Sequence, residues 1–143
     1  MKTRLIKWFT AFNTALIRGS GGRLGAKLGS QTILLLHTTG RKSGRKTITP
    51  IAFFQVEGIY FVVASNWGRD ANAAWYHNLL AQPRAEIEIT GRLISVIARA
   101  ALDDEYGRLW NYAVSRHPAY LDYQKMTARR IPIVVFVPLD GKE

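Results

Sequence analysis

The chain has 143 residues, of which 48% are hydrophobic, enough for one folded domain with a real core. It has no cysteine, and His37, His77 and His117 show no metal-ligand spacing. Disulfides, thiolate metal centres, iron–sulfur clusters and a cysteine nucleophile are therefore excluded, and no metal site is expected. The net charge is +10, and residues 1–46 hold ten Lys or Arg and no acid, so the whole excess lies in the first third. A field that one-sided attracts an anion: nucleic acid, an anionic membrane or an anionic cofactor.

Residues 3–18 read as an amphipathic helix. Leu5, Phe9, Phe12 and Leu16 recur at helical period beside Trp8, opposite Arg4, Lys7 and Arg18. Gly19-Ser20-Gly21-Gly22 ends it. Arg4, Lys7 and Arg18 interrupt any signal-peptide core, and no stretch reaches the ~18–20 apolar residues that span a bilayer, so a cytoplasmic protein is expected. Residues 1–30 form a basic helix with a glycine-rich connector, and 31–143 form the main domain.

Ile33–Leu36 reads as a buried strand ending at Thr38-Thr39-Gly40, followed by the basic turn Arg41-Lys42-Ser43-Gly44-Arg45-Lys46. Residues 47–56 and 59–65 form a hairpin about Glu57-Gly58. A loop over 66–70 precedes a helix over 72–81. Ala85, Ile87 and Ile89 alternate with Glu86 and Glu88, the mark of a half-exposed strand. Gly91-Arg92 turns that strand into another over 93–100. Asp103-Asp104-Glu105 opens a helix over about 103–115, with its acids at the positive helix end. Pro118 opens a short helix to about Met126, and Ile131–Val137 is the last strand. The pattern predicts an α+β, mainly β fold: a small barrel of about six mostly antiparallel strands with three to four flanking helices.

Three constellations carry chemistry. Thr38–Lys46 gathers four cations, hydroxyl groups and two glycines at a strand end. Arg grips phosphate bidentately and glycine admits close backbone approach, although a solvated turn has the same composition and P-loop spacing is absent. Val63–Gly68 with Ala74–Asn78 sets small polar groups beside aromatics, as a flat ring cofactor requires. Trp75 and Leu79, at i and i+4, also suit ordinary core. His117, Tyr120 and Tyr123, spaced by three, share a helical face that can line a pocket. There is no GxSxG and no Ser/His pair at a recognisable motif, which disfavours nucleophilic catalysis.

In order and spacing, LLLHTTGRKSGRKTITP, VVASNWGRDANAAWYHNLLAQPRAEIEI and HPAYLDYQKMTARRIPIVVFVP resemble the deazaflavin-dependent nitroreductase family of the flavin/deazaflavin split-barrel oxidoreductases. The similarity runs from about Leu34 to Pro138. It implies a split β-barrel that binds coenzyme F420. Arg41, Lys42 and Ser43 would hold the phosphate-containing tail, and Pro50 would flank the cofactor. Ala64, Ser65 and Asn66 would lie near the ring, with Ala74 and Trp75 completing that wall, and Tyr120 and Tyr123 would line the acceptor pocket. Three positions depart from the family's nitro-drug reductases: Thr47 replaces an arginine of the tail grip, and Ala52 and His117 replace tyrosines.

The resemblance thus implies an F420H2-dependent reductase that passes a hydride to an electron-poor small molecule: a quinone, nitroaromatic or activated enone. Tyr120, Tyr123 or His117 would donate the proton, His117 being chemically the readiest near neutral pH. A non-catalytic module binding F420 or another anionic ligand is the alternative, and an FMN enzyme on the same barrel is a third. A nucleic-acid binder is disfavoured because it leaves Trp75 and the tyrosine face unexplained. The helix over residues 3–18 would make the protein peripheral at the inner face of an anionic membrane. The sequence leaves the oligomeric state open.

Overall fold

A computed structural model describes Lys27–Leu28 and residues 31–139. The helix expected over 3–18 and its glycine-rich connector lie outside the described residues. Seven strands are seen: β1 (Lys27–Leu28), β2 (Gln31–Thr39), β3 (Lys46–Val56), β4 (Ile59–Val63), β5 (Arg84–Ile89), β6 (Arg92–Ala100) and β7 (Ile133–Pro138). Three helices accompany them, α1 (Ala74–Ala81), α2 (Asp103–Arg116) and α3 (Ala119–Lys125), with a 3₁₀ turn at Asn66–Gly68.

Every strand pairing is antiparallel. The order β2-β3-β4-β7-β6-β5 returns to β2 through pairs such as Leu36 with Ile87, so six strands close a barrel. β1 adds two residues beside the start of β2, an addition too short to show in the sequence pattern. Glu57 and Gly58, both at positive φ, make the expected two-residue turn. The second tight turn is Thr90-Gly91 rather than Gly91-Arg92. Both its residues take positive φ, and Arg92 already pairs with Ile89.

Alternation along the strands builds two cores. Leu34, Leu36, Phe53, Val62, Ile87, Val96 and Phe136 point into the barrel, where Leu79 of α1 joins them. Phe61, Val63, Ile133 and Val135 point outward and meet Leu109 and Ala113 of α2 and Tyr120 of α3. The two helices are thus held on the outer face of β4 and β7. Burying a side chain such as Phe61 or Phe136, each fully enclosed, contributes roughly 2–3 kcal/mol.

Candidate active site

The barrel is closed but not evenly paired. β3 is eleven residues long, yet it bonds to β4 only at Phe54–Val56 opposite Ile59–Phe61. From Lys46 to Phe53 it pairs with β2. On its other edge β4 pairs with β7 from Tyr60 to Val63, but Val62 and Val63 find no partner on β3. The two neighbours therefore diverge, leaving a seam with backbone edges on both sides. β4 also stops two residues before the expected end, because Ala64 N–H turns to Pro132 C=O and Ser65 N–H bonds back to Val63 C=O.

Small side chains line this seam. Ile51 and Phe53 face the barrel core, so alternation puts Pro50, Ala52 and Phe54 on the outer face of β3. Proline suits this position, since a strand edge that pairs on one side tolerates a missing N–H. Across the seam stand Ala64, Ser65 and Asn66.

At one end of the seam lies the basic turn. Gly40 N–H bonds to Arg45 C=O at 2.7 Å, Gly44 N–H to Gly40 C=O at 2.8 Å, and Ser43 Oγ accepts Arg45 N–H at 3.1 Å. Gly44 has φ +72°, a conformation that glycine adopts without cost. A buried polar relay fixes the turn to the barrel. Asn78 Oδ1 accepts Arg41 N–H at 3.0 Å, Asn78 Nδ2 donates to Thr38 Oγ1 at 3.2 Å, and Thr38 Oγ1 lies 2.7 Å from Thr47 Oγ1. Thr47, expected at the cofactor, thus ties the turn to β2. Arg41, Lys42 and Arg45 are exposed and form no ion pair among the described residues, whereas Lys46 reaches Glu86 at 3.2 Å. Glu88 similarly meets His37 at 3.1 Å, so both β5 carboxylates serve the β2–β5 closure region.

The loop after β4 is held by Arg129. Its guanidinium donates to Ser65 C=O (2.9 Å), Arg69 C=O (2.8 Å) and Asn72 Oδ1 (2.8 Å). Asn66 Nδ2 closes the loop on Ala71 C=O at 2.8 Å. Asn66, Trp67 and Gly68 take φ of +48°, +62° and +77°, so the backbone here is held in the left-handed region. Gln124 of α3 anchors Arg129 in turn, donating to Arg129 C=O and accepting Ile131 N–H.

The tyrosine face forms as expected. Pro118 is the cap of α3, and the rings of His117, Tyr120 and Tyr123 follow one another at 5.5 and 6.2 Å. Tyr123 continues to Trp67 at 6.4 Å, and Tyr120 to Phe54 at 6.2 Å. A row of rings therefore links the loop after β4 to the far end of β3. Tyr120 is 5% exposed and acts as a wall, while Tyr123 and His117 are half-buried. Beside His117 opens a pocket of about 470 Å³ lined by Phe54, Gln55, Tyr112, Arg116 and His117. Trp75 packs against the interior core and edge-on against Tyr76, so its indole serves barrel closure, and Ala74 stands exposed at the helix start.

Arg129 and Asn78 organise the site; Asn78 lies in the Ala74–Asn78 stretch that the sequence marked, but its part in holding the basic turn was not foreseen. Asn78, one residue from Leu79 in a mostly apolar helix, is the one with a local signal. Arg129 acts across 57 to 64 residues and leaves none.

The model of the F420H2-dependent quinone reductase family matches residues 9–138. An F420H2-dependent quinone reductase of Mycobacterium tuberculosis is 37% identical over 125 residues, covering 85% of this chain and 84% of that protein. The solved structure of an F420-H2 dependent reductase, FDR-A, superposes with a TM-score of 0.67 at 33% identity, covering 73% of this chain and 92% of that one. A structure described as a domain-swapped dimer gives 0.70 at 29% identity, covering 95% and 99%. Among the described residues no helix is long and apolar enough to cross a membrane, and no group of His, Asp and Glu could hold a metal. The split barrel, the deazaflavin expectation and the matched length agree: this chain belongs to the F420H2-dependent quinone reductase family.

Proposed function

We propose that this chain catalyses hydride transfer from F420H2 to a quinone, with the ring of the cofactor in the seam between β3 and the loop after β4. The seam itself carries the proposal. It offers backbone that pairs with no other described strand, along a groove walled by Pro50, Ala52 and Ala64, with three exposed cations at one end. That chemistry fits a flat ring with an anionic tail. From Lys46 to Pro50 is about 13 Å of strand, a reach suited to a ring joined to a phosphodiester through a short linker.

The cofactor, when bound, supplies the hydride. The protein's own residues bind, orient and exclude water. Arg41 and Lys42 take the phosphate, with Ser43 holding the turn in shape. Ser65 and Asn66, fixed by Arg129 and Ala71, flank the ring. Ala74 stands at the open start of α1, and Trp75 supports that wall from behind. Tyr120 and Tyr123 shape the acceptor side, and Tyr123 Oη or the His117 ring delivers the proton that completes quinone reduction. Nitroaromatics and activated enones are further acceptors to assay. Residues 3–18 would bring a cytoplasmic enzyme to an anionic bilayer, where quinones reside.

The test pairs steady-state reduction of menadione with direct F420 titration. Replacing Arg41 and Lys42 together by Ala should weaken F420 binding roughly 30-fold or more at low salt, and less at high salt. Tyr123→Phe should lower turnover about 10-fold or more with F420 affinity unchanged. Unchanged F420 affinity in the double variant would show that the turn is only a solvated loop. Equal affinity for FMN and F420 at low salt would remove the role given to the tail.

A further inference from the structure

The pocket at the end of the ring row carries a charge that quinone reduction as such does not need. Pro50, Ala52 and Phe54 succeed one another on the outer face of β3, so this pocket begins where the proposed ring site ends. Phe54 and Tyr112 meet edge-on at 6.0 Å and supply its aromatic wall. Its rim is polar: Thr32, Gln55, His117 and Arg116. Among the described residues no carboxylate lines it. At about 470 Å³ it falls in the range of small-molecule sites, a size that suits a bicyclic ring with a substituent.

Arg116, the last residue of α2, has its guanidinium carbon 3.8 Å above the centre of the Tyr112 ring. Seated over the ring face, the guanidinium is held in place while N–H groups remain for an acceptor. One N–H touches the neighbouring Ser115 Oγ at 3.3 Å, and Arg116 forms no ion pair with a carboxylate among the described residues. A planar cation beside an aromatic wall, with no acid among the described residues to neutralise it, matches a planar ring bearing an anionic oxygen group.

We propose that this pocket selects acceptors that carry an anionic substituent, a sulfonate or carboxylate, beside the reducible ring, and that Arg116 is the residue that selects them. The inference rests on the proposed acceptor side at Tyr120, Tyr123 and His117, and takes this pocket, which shares His117 with that face, as the seat of the acceptor. The reaction is otherwise the ordinary one. The quinone gains the hydride from the reduced cofactor and one proton to become the quinol, the cofactor is oxidised by two electrons, and the substituent stays in place.

The experiment compares kcat/KM for 1,4-naphthoquinone-2-sulfonate and for menadione, with F420H2 as donor. Taking the ratio of the two acceptors for each variant, and then comparing variants, cancels their different intrinsic reactivities. Arg116→Gln should lower the sulfonate-to-menadione ratio about three- to tenfold, the range of a half-solvated charge contact, and the drop should shrink as salt rises. Arg84→Gln removes the same charge from β5 and should leave the ratio unchanged. An equal fall in both variants would mean a net-charge effect and would overturn the proposal, as would an unchanged ratio in Arg116→Gln. His117→Trp, which fills the pocket, should raise KM for both acceptors. A response to His117→Trp with no change in the Arg116→Gln ratio refutes only the anion preference. No response to His117→Trp refutes the acceptor site as well.

Discussion

Arg129 offers a quantitative test of how the site is held together. Its guanidinium bonds to Ser65 C=O, Arg69 C=O and Asn72 Oδ1, all within 2.9 Å. Truncating a charged donor of this kind costs roughly 2–5 kcal/mol in a buried setting, and about 2–3 is expected for a half-buried loop that water can reach. Against this stands the loop's own strain. Asn66 and Trp67 both occupy the left-handed region, at roughly 1–2 kcal/mol each. The two terms are comparable, so removing the first releases the second, and the loop relaxes away from the geometry proposed to flank the ring. Arg129→Ala should therefore weaken F420 binding about 10- to 50-fold, while the barrel strands, to which the Arg129 guanidinium gives no hydrogen bond, keep their far-ultraviolet circular dichroism. Arg129→Lys keeps the charge but brings a single ammonium to three acceptors spread over the loop, and it should restore little. Titration of each variant with F420, followed by absorbance and tryptophan fluorescence, decides the matter. Full recovery by lysine would show that Arg129 acts through charge rather than by orienting the loop, and unchanged affinity in Arg129→Ala would show that the loop keeps its shape unaided.

Two further outcomes follow from other contacts in the molecule. Gly68 sits at φ +77°, and a Cβ there would stand 2.9 Å from Met126 Sδ and 3.0 Å from Tyr123 C=O, so Gly68→Ala should cost about 2–3 kcal/mol by thermal unfolding. Adding Met126→Ala should recover part of that loss, and no recovery would mean that α3 does not press on the loop. Arg99 grips Glu105 through two hydrogen bonds, of 2.6 and 2.9 Å, which hold the Glu105 carboxyl below its usual pKa. A carboxylate depressed in the folded state stabilises above its ordinary pKa and loses that contribution as pH falls through the lowered value. The Tm gap between wild type and Glu105→Gln should therefore be present near neutral pH and close in acid; a gap that persists in acid would place its origin elsewhere.

Local signals in the sequence reached far into the fold. Glu57-Gly58 between two β-branched and aromatic runs specified its hairpin, the alternation of Ala85, Ile87 and Ile89 specified β5, and Pro118 marked the start of α3. Each depends on residues within a few positions of one another. The seam was not legible, because it arises where β3 and β4 stop pairing with each other beyond Phe54 and Phe61, a property of pairing between strands rather than of either segment. Arg129 was hidden for the same reason, since its partners lie on a loop before α1. Trp75 was ambiguous: an aromatic near a cofactor and an aromatic in a core have the same local pattern, and its packing against the interior became visible only with the barrel assembled.

The location of the cofactor is tested most directly by a crystal structure of this chain with F420 bound. The ring should lie in the seam, between Pro50–Ala52 on β3 and Ala64–Asn66 after β4, with the tail phosphate against the side chains of Arg41 and Lys42. A ring seated instead in the pocket of Phe54, Tyr112 and Arg116, or a tail directed away from the basic turn, would contradict the account.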